Sequence, residues 1–96
     1  MLEILREALE KRQTVAFIYD DKTRIVEVHA VGNSTKNDNL VMRGFQVAGE
    51  RAGWALFTLS KITGLEISLF PLSEAPREGY KPGDKQMSTI LFEVAA

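Results

Sequence analysis

From residue 14 onward, the apolar residues of this chain come in short runs with the two-residue period of a β-strand, broken by turn-forming residues. That pattern commits most of the chain to a small sheet. The dominant run is Gly53-Trp54-Ala55-Leu56-Phe57-Thr58-Leu59-Ser60-Lys61-Ile62, which holds the only tryptophan. Trp54, Leu56 and Thr58 alternate with Ala55, Phe57 and Leu59, so the run predicts a central strand buried on both faces. Ser60 and Lys61 interrupt the apolar pattern near its end.

The other runs read in the same way. Residues 14–19 predict a strand, residues 20–23 a turn, and residues 24–31 the return strand of a hairpin. On the return strand Val26, Val28 and Ala30 share one face, while Glu27 and His29 project from the other. Residues 32–38 are the clearest loop, small and polar throughout. Residues 39–48 predict a third strand, in which Gly44 implies a bulge, a bend or a close backbone approach. A turn over 49–53, a strand over 54–59, a bend at Thr63-Gly64 and a fifth strand over 65–70 follow. Pro71, Pro76 and Pro82, with Gly79 and Gly83, confine residues 71–86 to loop and turns. Residues 88–94 are again strand-like, fit to close the sheet or to offer an edge for dimerisation.

Ahead of the sheet, residues 2–12 read as a helix. Leu2, Leu5, Ala8 and Leu9 fall on one face with Ile4 beside them, and charged residues occupy the rest. Glu7 and Lys11 attract across one turn, and Glu3 and Glu7 repel. The apolar face must cover something, and the mouth of a small barrel is the natural target. One helix and five or six short strands predict a mainly β fold, a small β-barrel with an N-terminal capping helix. Residues 1–96 then make a single domain: helix over 2–12, barrel strands within 14–70, and a Pro/Gly-containing tail over 71–96 with a final strand.

Size and charge limit what such a domain does. A chain of 96 residues buries about two-thirds of its unfolded surface, so its core is thin and dimerisation would help it. A net charge of −1 gives no bulk attraction for nucleic acid, and any polyanion must be met by a local cluster. The absence of cysteine excludes disulfides and thiolate metal sites. A lone histidine, His29, argues against a histidine-built zinc site, and no cofactor is expected. No apolar run approaches the ~18 residues of a membrane span. The N-terminus carries acid early and lacks the basic start of a signal peptide, so a cytoplasmic location is expected.

Three stretches together carry a family resemblance: Ile25-Val26-Glu27-Val28-His29-Ala30-Val31, Leu40-Val41-Met42-Arg43-Gly44-Phe45, and the Trp54–Ile62 run. With the Gly79-Tyr80-Lys81-Pro82-Gly83-Asp84-Lys85 tail, they resemble the WYL domain, named for a Trp-Tyr-Leu run on a barrel strand. The resemblance spans almost the whole chain and implies an Sm-like, SH3-type barrel of bacterial transcription regulators or phage-defence systems. It implies a ligand sensor or nucleic-acid-binding module that engages polyanionic ligands through basic and aromatic side chains. Two positions depart from the family pattern: Ala55 stands where the name motif has tyrosine, and Lys61 where the Leu-Asp-Arg-Ile ending has arginine. Lys61 keeps the charge and loses the guanidinium fork. No helix-turn-helix precedes the domain, so the family's ordinary DNA-reading device is not expected.

The candidate ligand-binding residues follow from residue chemistry. Arg43 interrupts an apolar strand, so it must face solvent, pair with a carboxylate such as Glu27, or bind an anion. Lys61 is either solvated or a second anion contact. Trp54 is either a core residue or a stacking platform for a base. His29 is structural, a phosphate donor or a proton switch. Tyr80, Lys81 and Lys85 make a basic-aromatic cluster suited to phosphate and base, diluted by Glu78 and Asp84. Arg24 and Lys36 are weaker members of the same set. No constellation for catalysis stands out and no glycine-rich phosphate loop occurs, so no catalytic or metal-ligating residue is expected. The leading expectation is a non-catalytic module that binds a nucleotide-type ligand or short single-stranded nucleic acid. The alternative is a dimerising adaptor that takes a protein partner by strand addition. An enzyme of small-molecule metabolism comes last.

Overall fold

The structure, a computed structural model, describes residues 1–48, 52–71 and 76–95. Helix α1 (Leu2–Glu10) precedes strands β1 (Thr14–Tyr19), β2 (Lys22–Ser34), β3 (Leu40–Ala48), β4 (Gly53–Thr58), β5 (Thr63–Ser68) and β6 (Met87–Glu93). A short 3-10 turn, Leu59–Lys61, joins β4 to β5. The helix stops before residue 12 because Arg12 takes a left-handed φ of 54° and the Gln13 N–H reaches back to the Ala8 carbonyl at 2.8 Å. That closure satisfies a carbonyl the last turn leaves open. The β1–β2 hairpin turns on two residues, Asp20 and Asp21, both at positive φ, which matches the twist of the flanking strands. Residues 49–51 of the turn expected over 49–53, and residues 72–75 of the tail, lie outside the described residues.

All six strands form one antiparallel sheet in the order β4-β3-β2-β1-β5, with β6 paired to β2. The organising strand is β2, not the tryptophan strand. At 13 residues, β2 is long enough to pair β1 along its first half, β6 along its second, and β3 on its other side. The loop expected from residue 32 therefore begins later. Gly32 and Asn33 stay extended because β3 and β6 both bond them. Gly32 makes that crossing feasible: a Cβ there would lie 2.1 Å from the Thr89 carbonyl oxygen. Among the described residues β4 pairs only with β3, which makes it an edge strand.

The sheet curls. Phe17 on β1 meets Phe57 on β4 with ring centroids 5.1 Å apart, and the Thr58 N–H donates to the Tyr19 hydroxyl at 3.1 Å, although β2 and β3 lie between these strands in the ladder. No ladder joins β4 to β5 or β6 among the described residues, so the sheet is open. Its concave side holds the main core: Val15, Phe17, Val26, Val28, Val31, Met42 and Phe57, covered by Leu5 and Ala8 of α1 and sealed by Leu59 and Ile62. Burying one such side chain fully contributes roughly 1.5–3 kcal/mol. Gly44 is required here by close approach, since a Cβ would lie 2.2 Å from Val26 Cγ1. No described helix is long and apolar enough to cross a membrane.

Candidate functional site

A bulge in β2 builds the opposite, convex face. The β2–β3 register shifts between Val28 and Ala30, leaving His29 without a partner residue. The extra residue reverses the alternation. Ala30, expected beside Val26 and Val28, instead packs with Val41 and Met87 in a second cluster, against Leu56, Tyr80 and Ile90. Val31 returns to the main core. The His29 carbonyl is satisfied by the Val94 N–H at 2.8 Å. Register then aligns Glu27, Phe45 and Trp54 across β2, β3 and β4, with Ala30, Arg43 and Leu56 as the next row on that face.

The described part of the tail, residues 76–86, lies across these rows as a strap and is anchored at three places. At the first, Arg77 binds Glu27 with both ends of its guanidinium, at 2.7 and 2.9 Å, and lies 4.0 Å over the Phe45 ring. Glu27 is fully buried, and a buried carboxylate persists only when paired in this way. The Arg77 backbone N–H donates to His29 Nε2 at 3.0 Å, so that nitrogen is unprotonated, and Nδ1–H donates to the Glu27 carbonyl at 2.9 Å. His29 is thus a neutral imidazole with both nitrogens engaged. Burial, the largest influence, pushes its pKa below the ordinary value, aided by the Arg77 charge and opposed by its contacts with Glu27.

The second anchor is Tyr80. Its ring lies 5.1 Å from His29 and 5.8 Å from Trp54, and its hydroxyl donates to Glu93 at 2.6 Å. The Gly83 N–H donates to the same carboxylate oxygen at 2.9 Å. Burial first, then the Glu93 bond and charge, hold the Tyr80 phenol well above its usual pKa. Gly79, at φ 94°, turns the strap beside the Trp54 indole. Trp54 packs edge-on against His29 at 4.7 Å and Phe45 at 5.2 Å, and remains 36% exposed.

The third anchor joins Arg43 to Asp84. Arg43 Nε donates to one carboxylate oxygen at 2.6 Å, and its terminal nitrogen reaches the other at 3.4 Å and Gln86 Oε1 at 2.5 Å. Burial works to raise the Asp84 pKa. The bonds from Arg43 and the Gln86 N–H, with the Arg43 charge, outweigh it and hold the carboxyl below its usual range.

Between Trp54 and the strap lies a pocket of about 330 Å³, lined by Arg43, Trp54, Gly79, Tyr80, Lys81, Pro82, Gly83, Asp84 and Lys85. Of the expected site residues, Arg43, Trp54, Tyr80, Lys81 and Lys85 come together here. His29 sits behind Trp54 and Tyr80, buried beneath the pocket. Lys61 lies apart, exposed on the 3-10 turn that follows β4. Arg24 is bonded to the Tyr19 carbonyl and Gln46, and Lys36 is exposed in the β2–β3 loop. The pairing weighed between Arg43 and Glu27 is replaced by two others, Arg43 with Asp84 and Glu27 with Arg77. Sequence reasoning passed over Arg77 and Phe45. The available signal was Glu27 itself, a carboxylate in an apolar strand that demands a buried cation.

Chemically, the pocket offers an indole face, a tyrosine ring and three cations against one carboxylate. Lys81 and Lys85 make no ion pair with any described residue. No Ser or Thr is among the described residues that line it. Comparison with protein families, with curated proteins and with solved structures returns no match.

Proposed function

We propose that the chain is a non-catalytic binding module of WYL-like, SH3-type barrel design. It takes a nucleotide-type ligand, or part of a short single-stranded nucleic acid, in the pocket beneath the strap. The observation that carries this reading is the meeting of an exposed aromatic face, Trp54, with Lys81 and Lys85 in one pocket. A base stacks on Trp54, a contact worth ~1–3 kcal/mol, and a phosphate is met by the two lysines. Lys61 stands outside this site, and His29 serves it by buttressing Trp54. Such a module suits a cytoplasmic sensor in transcription regulation or phage defence.

Trp54 is the only tryptophan, so its fluorescence reports the pocket directly. Titration with 5′-AMP and with an eight-residue oligothymidylate should give saturable quenching that weakens as salt rises. The Lys81→Ala/Lys85→Ala double variant should lose most of it. Silence in both fluorescence and calorimetry overturns the reading.

One observation favours the second reading, a homodimeric or partner-binding adaptor. Edge strand β5 runs into Leu69 and Phe70, which are 98% and 42% exposed. A concentration-independent monomer in sedimentation, unchanged in Leu69→Ser, removes the homodimer.

A further inference from the structure

Arg43 differs from its two neighbours in the pocket, Lys81 and Lys85, because its guanidinium is already occupied. Asp84 and Gln86 present three oxygens to it, at 2.6, 3.4 and 2.5 Å, from one short turn of the strap. A planar fork facing several oxygens is the arrangement by which arginine holds a phosphate. Asp84 is preset for this role, since its Oδ1 also accepts the Gln86 N–H at 2.9 Å. The carboxylate stays ionised because Arg43 holds its pKa down. The pair opens onto the pocket from one side, as both residues line it.

We propose that Asp84 is an internal competitor for the anionic part of the ligand: it fills the Arg43 fork in the free protein and is exchanged for a ligand phosphate on binding. This rests on the binding reading above and deepens it. Exchange makes the site selective. A neutral ligand gains nothing from the Arg43–Asp84 pair, and a carboxylate competes with Asp84 on near-equal terms. A phosphate brings more charge and more acceptor oxygens to the fork and displaces it. The remaining cations, Lys81 and Lys85, favour the displaced arrangement by receiving the same group.

The experiment compares wild type with Asp84→Asn and Asp84→Ser, each alone and combined with Arg43→Ala. The probes are 5′-AMP, its uncharged counterpart adenosine, and the eight-residue oligothymidylate. Asparagine keeps the acceptor for the Gln86 N–H and removes only the charge, and serine tests the same point with a different fold risk. Both variants should bind 5′-AMP about tenfold more tightly than wild type, with adenosine unchanged. The gain should vanish on the Arg43→Ala background. For the oligothymidylate, affinity should rise by a similar factor, since the fork meets one phosphate in both proteins and the variants are spared the displacement of Asp84. A merely structural pair would raise neither affinity. The proposal is overturned if 5′-AMP binds wild type and the variants equally, if adenosine gains as much, or if the gain survives Arg43→Ala. Unfolding of both Asp84 variants overturns it as well, since a pair the fold requires is not displaceable. In each of those cases wild type still binds 5′-AMP and the binding reading stands. If no protein binds any probe, the binding reading itself has failed.

Discussion

The concave face of the sheet is covered by α1 through Leu5 and Ala8, and the convex face by the 76–86 strap through Arg77, Tyr80 and Asp84. Both covers bury side chains completely, yet by different chemistry. On the concave side the contacts are apolar and non-directional, so position tolerates small shifts. On the convex side Glu27 and His29 are fully buried, and each polar atom has a designated partner. Charged pairs in low dielectric add little net stability because desolvation offsets their attraction. They do fix geometry, since no other arrangement satisfies them. A small domain with a thin core gains stability from one face and a defined pocket wall from the other.

Truncation should separate the two faces. Phe17→Ala removes a ring that touches Tyr19 and Phe57 in the main core, and should cost about 3–5 kcal/mol in urea denaturation. Arg77→Met strands the buried Glu27 and should cost about 3 kcal/mol. The informative step is the pair: Glu27→Leu with Arg77→Met should regain most of that loss. No second substitution should rescue Phe17→Ala in this way. If the paired variant is no more stable than Arg77→Met alone, the convex face is a stabilising core like the concave one, and the contrast collapses.

The contrast also explains what could be read from the sequence. The helix, the hairpin and the strand-like runs were legible because period and turn chemistry are local. Trp54 and Leu56 alternating with Phe57 marked a strand apolar on both faces, but only the Phe57 side is buried: Leu56 is half-buried against the second cluster and Trp54 stays exposed. Coverage of faces says nothing about pairing of edges, so β4 proved to be an edge strand. The length of β2 was hidden because Gly32, Asn33 and Ser34 have loop chemistry and are held extended only by β3 and β6. The bulge at His29 left no mark on the alternation. The site was legible as residue types, Trp54, Arg43, Tyr80, Lys81 and Lys85, but its pairings were not. Arg43–Asp84 and Glu27–Arg77 join residues 41 and 50 positions apart, where a local reading has no hold.

A smaller effect tests the strap through pH. His29 Nε2 accepts the Arg77 N–H, so protonation there replaces an acceptor with a donor and opposes the first anchor. Glu27 and Arg77 are the charged groups that face the ring, with Tyr80 beside it. The folded pKa lies below the usual 6.5, so the unfolded chain binds more protons in the window just beneath that value. Stability is therefore complete above about pH 6.5 and declines as pH falls below it, by at most about 1.4 kcal/mol per pH unit for one proton. The Asp84 contribution is present above the ordinary carboxylate value of 3.8 and is lost as pH falls from there through the depressed folded value. Urea denaturation between pH 5.5 and pH 7.5 should show this slope in wild type and a flat line in His29→Gln. An equal slope in both would place the titrating group elsewhere.

The smallest expected effect is the most selective. Lys61 is exposed on the turn after β4, and about 13 Å of strand separates Trp54 from Thr58 before that turn begins. Its substitution should therefore touch neither face. Lys61→Ala should alter stability by less than about 0.5 kcal/mol and leave 5′-AMP quenching of Trp54 unchanged. Lys81→Ala, also a single exposed lysine, should leave stability equally unmoved and weaken binding severalfold. The two variants remove the same charge from the same net total, so bulk electrostatics predicts equal effects. If Lys61→Ala weakens binding as much as Lys81→Ala does, attraction is spread over the whole surface and the strap pocket is not the site. If only Lys81→Ala does, the charge that matters is local to the convex face.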